Sequence, residues 1–108
     1  MLGESDISSV RFSDSVTISN ISDAHGLLSS ALERSSSVII DIADVTEADL
    51  TFAQLIEAAR RSATERGRTI QLRDGAQGAV LQVLQRGGFL DPADSERADF
   101  WLQGANQQ

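Results

Sequence analysis

Residues 38–66 read VIIDIADVTEADLTFAQLIEAARRSATER, and two hydrophobic periods meet inside them. Val38-Ile39-Ile40-Asp41-Ile42 is a short, nearly unbroken apolar run, the pattern of a central strand covered on most of both faces. From Asp49 to about Arg66 the period lengthens. Phe52, Leu55, Ile56, Ala59 and Ala63 line one side, while Gln54, Glu57, Arg61 and Glu65 fall outside it. The spacing predicts a long amphipathic helix, with Glu57 and Arg61 as an i, i+4 pair of favourable orientation and Gly67 as the stop. Between strand and helix, Ala43 to Glu47 is expected to turn the chain. The helix cap is either Asp49 or Thr46, the latter with Asp49 three residues on as an approximate capping box.

Upstream of this stretch, Ile7, Val10, Phe12, Val16 and Ile18 alternate in short pieces broken by Ser13-Asp14-Ser15, which predicts a hairpin of two strands. Ser22 or Asp23 then caps a helix to about Arg34, with Ala24, Leu27, Leu28, Ala31 and Leu32 as its apolar face. Downstream, Thr69 to Arg73 alternates as a strand and Asp74-Gly75 turns. Ala79, Val80, Val83 and Leu84 predict a third helix ending at Gly87-Gly88. After Asp91-Pro92, Ala98 to Leu102 is either a last strand or apolar packing by Phe100 and Trp101. Strands alternating with helices imply parallel crossovers. The expected fold is therefore α/β, a mixed sheet of four or five strands with three to four helices packed on it. One domain spans 1–108, with 1–6 and 104–108 expected to be flexible.

Composition narrows the function. The 108 residues suffice for one core, and there are no cysteines, so disulfides, thiolate nucleophiles and thiolate metal sites are excluded. All nine basic residues are arginines, which excludes phosphate-loop, Schiff-base and receiver-type lysines. A net charge of −7 opposes contact with nucleic-acid backbones and anionic headgroups. No apolar run approaches the roughly 20 residues of a membrane span, and Met1 to Asp6 lack the pattern of a secretory signal. A cytoplasmic protein without membrane insertion or nucleic-acid binding is expected.

Four motifs in order carry a family resemblance. Ile40-Asp41-Ile42 closes an apolar strand, and Asp49-Leu50-Thr51-Phe52 opens a helix after a short loop. Gly67-Arg68-Thr69-Ile70-Gln71-Leu72 matches a Gly-x-x-Leu-x-Leu strand, and Leu84-Gln85-Arg86-Gly87-Gly88 ends the next helix. The chain thereby resembles a STAS domain, the fold of anti-sigma-factor antagonists. In regulatory members of that family a serine or threonine directly after the helix-opening aspartate is phosphorylated by a partner kinase, which releases or blocks binding. Here that slot holds Leu50, the usual glycine two places on is Phe52, and a hydroxyl comes one place late at Thr51. The resemblance also extends to subunits of lipid-transport ABC complexes and to chemotaxis-associated proteins.

The resemblance implies a non-catalytic protein-binding module with no cofactor. Its docking surface would comprise Asp44, Glu47, Asp49, Leu50, Thr51, Gln54 and Glu57, with Thr51 as the candidate phosphorylation site. The partner is either an anti-sigma factor or serine kinase, or an ABC-transporter or chemotaxis component bound constitutively. Other features read plainly. Asp41, Asp44, Glu47 and Asp49 lack the spacing of a calcium loop and are taken as a strand end and a helix cap. His25 stands alone as a first-turn surface residue, and Asp74 to Gly78 as a turn and helix start. Arg60, Arg61, Arg66 and Arg68 form either a patch for an acidic partner or a solvated helix end. Trp101 is either an exposed anchor or a core closure.

Overall fold

The computed structural model describes residues 7–91 and 93–102. In chain order the elements are β1 (Ile7–Val16), α1 (Ile21–Arg34), β2 (Ser37–Ala48), α2 (Leu50–Glu65), β3 (Thr69–Leu72), α3 (Gly78–Arg86) and α4 (Ser95–Leu102). Both strand pairings are parallel, in the order β1-β2-β3. The fold is α/β with four helices. Among the described residues the sheet has three strands, and the predicted fourth and fifth are not seen.

Two local expectations are corrected. The segment 7–16 is one strand rather than a hairpin, paired with β2 along its length. Without glycine, Ser13-Asp14-Ser15 is poorly suited to a two-residue hairpin turn. Asp14 takes φ 61° and the strand continues past it. Ala43 to Glu47 is likewise strand rather than turn. From Arg11↔Asp41 to Ser13↔Asp44, β2 advances three residues while β1 advances two, and the step from Asp14↔Val45 to Ser15↔Glu47 repeats the excess. These irregularities absorb the polar residues as bulges while Val45 stays buried. Of the two readings of Ala98 to Leu102 the strand is not seen: Ser95–Leu102 is a helix that packs Phe100 and Trp101 inward, with Asp94 accepting the N–H of Arg97 near its start. The expected flexibility of 1–6 and 104–108 concerns residues outside those described.

One face of the sheet carries the core. Val10, Ile40 and Leu72 lie side by side across the three strands, flanked by Val38, Ile42 and Ile70, all buried. The alternate residues Ser9, Arg11, Thr69 and Gln71 are exposed, and Ile39 and Asp41 half-buried. So β2 is covered on one face, not two, because successive side chains point to opposite faces and the neighbours on the second face are polar. Arg11 with Asp44 and Arg73 with Asp41 pair across that open face. The Asp44 carboxylate, by hydrogen bond and then by charge, holds the Arg11 guanidinium above its usual pKa. Such exposed pairs are screened and contribute little.

Helix α4 carries a buried polar contact inside an aromatic cluster. Trp101 is fully buried, and its Nε1–H donates to Glu57 Oε2 at 2.7 Å. The other carboxylate oxygen accepts from Arg60 Nη2 at 3.1 Å. Phe89 and Phe100 meet the indole edge-to-face at 6.5 and 5.2 Å, and the Arg60 guanidinium lies 5.1 Å from the Phe100 ring centre. Trp101 is thus a core closure and not an exposed anchor. Glu57, expected on the outer surface, is buried, and its partner is Arg60 rather than Arg61.

An unpaired buried indole N–H carries a desolvation penalty of about 1–3 kcal/mol. Glu57→Ala should therefore destabilise the protein by about 2–3 kcal/mol, counting the lost Arg60 contact. Glu57→Gln, which keeps an acceptor, should lose less than half of that. Urea unfolding followed by the fluorescence of the sole tryptophan measures both. Equal midpoints for wild type and Glu57→Ala would show that the contact does not hold α4.

Candidate docking site at the start of helix α2

In open α/β sheets the functional surface forms where strands end and helices begin. At that end of this sheet β2 runs out at Ala48, and Asp49, in extended conformation, caps α2. The Asp49 side chain gathers three donors. Oδ1 accepts the backbone N–H of Thr51 at 3.1 Å and also the Thr51 hydroxyl. Oδ2 accepts the N–H of Ile18 at 2.9 Å. A single carboxylate thereby ties the β1–α1 turn to the first turn of α2. Thr46, the other candidate cap, lies within β2 and is exposed.

The β1–α1 turn is locked from its own side as well. Asn20 Oδ1 accepts from Thr17 N at 2.9 Å, and its Nδ2 donates to the Ser15 carbonyl at 2.8 Å. Asn20 therefore precedes α1 without capping it, and the helix begins at Ile21, ahead of the predicted Ser22 or Asp23. Ile18, expected inside a strand, falls in this turn with its side chain 68% exposed. Leu50, on the other side of Asp49 in the same hydrogen-bonded knot, is 45% exposed. Two large apolar side chains thus stand in solvent beside one fixed cap.

Of the residues expected to dock a partner, Asp44, Glu47, Leu50 and Gln54 are exposed, and Asp49 and Thr51 are half-buried. Asp44 pairs with Arg11, and Glu47 Oε1 accepts the Ser15 hydroxyl at 3.1 Å. Glu57 does not join them, since its carboxylate faces Trp101. Among the described residues no three His, Asp or Glu side chains group as a metal site. The four arginines do not form one patch. Arg60 packs on Phe100 and Arg68 donates to the Ser35 carbonyl at 3.3 Å, leaving Arg61 and Arg66 exposed. His25 is exposed on α1, and with Leu28, Leu32, Leu55 and Arg66 it borders a groove of about 300 Å³ between α1 and α2.

The far wall of the candidate site has no signal in the sequence. Leu50 meets the end of α3, and Ala48, Asp49, Leu50, Val83, Arg86 and Gly87 line a shallow groove of about 250 Å³. Gly87 was read only as a helix stop. A Cβ there would come within 2.9 Å of the Phe89 ring and 3.1 Å of Leu50 Cδ1, so the close approach needs glycine. No local signal links residues 37 positions apart.

The Thr51 hydroxyl first, and then the Ile18 N–H, hold the Asp49 carboxyl below its ordinary pKa. A depressed folded-state pKa means that the stabilisation is complete above the unfolded value of about 3.9 and disappears as pH falls toward the folded value. Asp49→Ala should destabilise the protein by about 1–2 kcal/mol at pH 7, the worth of a helix cap. The gap to wild type should narrow below about pH 4. Urea midpoints of the two proteins at pH 7 and pH 3 test this, and a gap unchanged by acid would refute the charged cap.

The fold and this site can be set beside known proteins. No curated protein matches the sequence. A solved structure described as "Crystal Structure Analysis of Mglu" matches with a TM-score of 0.59 at 16% identity, over 69% of this chain and 19% of that one. The present chain thus spans about a fifth of that protein's length, and at this identity the likeness concerns the fold alone. The family model described as "Mlab, STAS domain" matches residues 3–91. That match includes the three strands, the α2 cap and the α3 wall of the groove, and the chain belongs to the STAS domain family.

Proposed function

We propose that this chain is a non-catalytic protein-interaction module, working in the cytoplasm in the manner of an anti-sigma-factor antagonist. STAS domains are in general regulatory, non-enzymatic modules that mediate protein contacts. The observation that carries the reading is the pair of exposed apolar residues, Ile18 and Leu50, on a backbone fixed by Asp49. A rigid apolar projection rimmed by polar side chains is what an interface anchor requires. The docking surface is Asp44, Glu47, Asp49, Leu50, Thr51 and Gln54, with Ile18 added and Glu57 removed. Among the described residues no helix is long and apolar enough to cross a membrane.

Thr51 is the switch in this proposal. Its hydroxyl donates to Asp49 in the first turn of α2. Phosphorylation would break that bond and set up to about two negative charges against a carboxylate, disrupting a docked partner. A second reading is a constitutive subunit of an ABC transporter for lipids or of a chemotaxis assembly. It is favoured by Leu50, which places an apolar contact where regulatory relatives carry the hydroxyl.

A pull-down from native lysate with wild-type, Leu50→Asp, Thr51→Ala and Thr51→Glu baits separates the readings. An anti-sigma factor or serine kinase held by wild type and lost with Leu50→Asp and Thr51→Glu supports the switch. A transporter or chemotaxis component lost only with Leu50→Asp supports the constitutive subunit. Any partner held equally by wild type and Leu50→Asp refutes docking at this surface.

A further inference from the structure

The groove between α2 and α3 carries information about the chemistry of its occupant. Its walls are apolar at Ala48, Leu50 and Val83, and its rim at Gly87 bears no side chain. Two charged residues line it, Asp49 and Arg86. They are not equally available. The Asp49 carboxylate is already engaged by the Ile18 N–H, the Thr51 N–H and the Thr51 hydroxyl. The exposed Arg86 side chain makes no hydrogen bond or ion pair with any described residue. In a chain of net charge −7, the free charge beside this apolar slot is positive.

We propose that the groove takes one bulky apolar side chain of a protein partner, and that a carboxylate beside that side chain in the partner pairs with Arg86. The inference rests on docking at the α2 surface and names the chemistry of the docked segment. A slot of about 250 Å³ accommodates a single leucine-sized or aromatic side chain rather than a helix face. Gly87 determines the specificity, since any larger residue would push Leu50 or Phe89 and narrow the slot. Arg86 contributes selection by charge, and its guanidinium offers a fork of donors to a carboxylate.

The test uses the full chain, labelled with nitrogen-15, and three capped tetrapeptides: acetyl-Ala-Leu-Glu-Ala-amide, its Leu-Gln counterpart and its Ala-Glu counterpart. At about 10 mM peptide, within reach of millimolar affinities, the Leu-Glu peptide should shift the amides of Leu50, Val83, Arg86 and Gly87. It should bind about twofold to fivefold more tightly than the Leu-Gln peptide, the size of an exposed ion pair. The Ala-Glu peptide should shift these amides least. Arg86→Gln should erase the preference for glutamate while leaving the Leu-Gln shifts in place. Gly87→Ala should abolish all shifts, with its circular dichroism melt checked against wild type. Equal affinity for the Leu-Glu and Leu-Gln peptides, shifts confined to the α1–α2 groove, or no shifts at all overturns the proposal. A lysate partner still lost with Leu50→Asp would then leave the docking surface standing and remove only its chemical assignment. Conversely, a partner indifferent to Leu50→Asp would overturn the groove as that partner's docking site, whatever the peptides do.

Discussion

Strand β2 is hydrogen-bonded to a parallel neighbour on each side, and that constraint shapes the rest of the molecule. Parallel strands cannot be joined by a tight turn and need a long crossover. Helices α1 and α2, of 14 and 16 residues, provide the two crossovers. With the strands in sequential order and right-handed connections, both helices fall on the same face. The core therefore lies between one face of the sheet and its helices, over Val10, Ile40 and Leu72. The opposite face is left to Arg11, Asp41, Gln71 and Arg73. The same geometry brings the end of β2 and the start of α2 to one edge of the domain.

At that edge the Asp49 carboxylate has two physical roles. It satisfies orphan donors at the start of α2, as any good cap does. By accepting from Ile18 it also removes freedom from the neighbouring turn. Exposed apolar side chains on a mobile loop would lose much of their binding energy to ordering. In the proposed docking, Ile18 and Leu50 would be spared that loss, because Asp49 ties the Ile18 N–H to the first turn of α2. The same carboxylate thus caps α2 and fixes the turn that bears Ile18, and Thr51 joins it through its hydroxyl.

On the far side of α2, Glu57 faces inward and meets Trp101 and Arg60. A buried carboxylate is tolerated when both oxygens are paired, and here they are. The arrangement joins the last helix to α2, while the Trp101 carbonyl accepts from Ala76 N at 2.7 Å just ahead of α3. The aromatic edge contacts add Phe89, beyond the end of α3. Helix α4 therefore ties α2 to the segments that flank α3.

Much of this was legible in the chain. The apolar run at Val38 to Ile42 determined a central strand and the spacing from Phe52 to Ala63 determined α2, while the choice of Asp49 over Thr46 as its cap came from the structure. Each follows from contacts within a few residues, where side-chain period and capping chemistry are set by local backbone geometry. The absence of cysteine and lysine removed thiolate and lysine-based chemistry without any structure. Tertiary structure decided what depends on partners distant in sequence. Whether Ser13-Asp14-Ser15 turned or continued as strand depended on β2 lying alongside, which takes up the irregularity in its own bulges. Glu57 is polar and sits off the apolar face by period alone, yet it is buried because Trp101, 44 positions later, brings it a donor. The groove beside Leu50 exists because Gly87, ending a different helix, lacks a Cβ at the point of approach. Periodicity records how often a side chain faces inward, and only packing fixes which atoms it meets there.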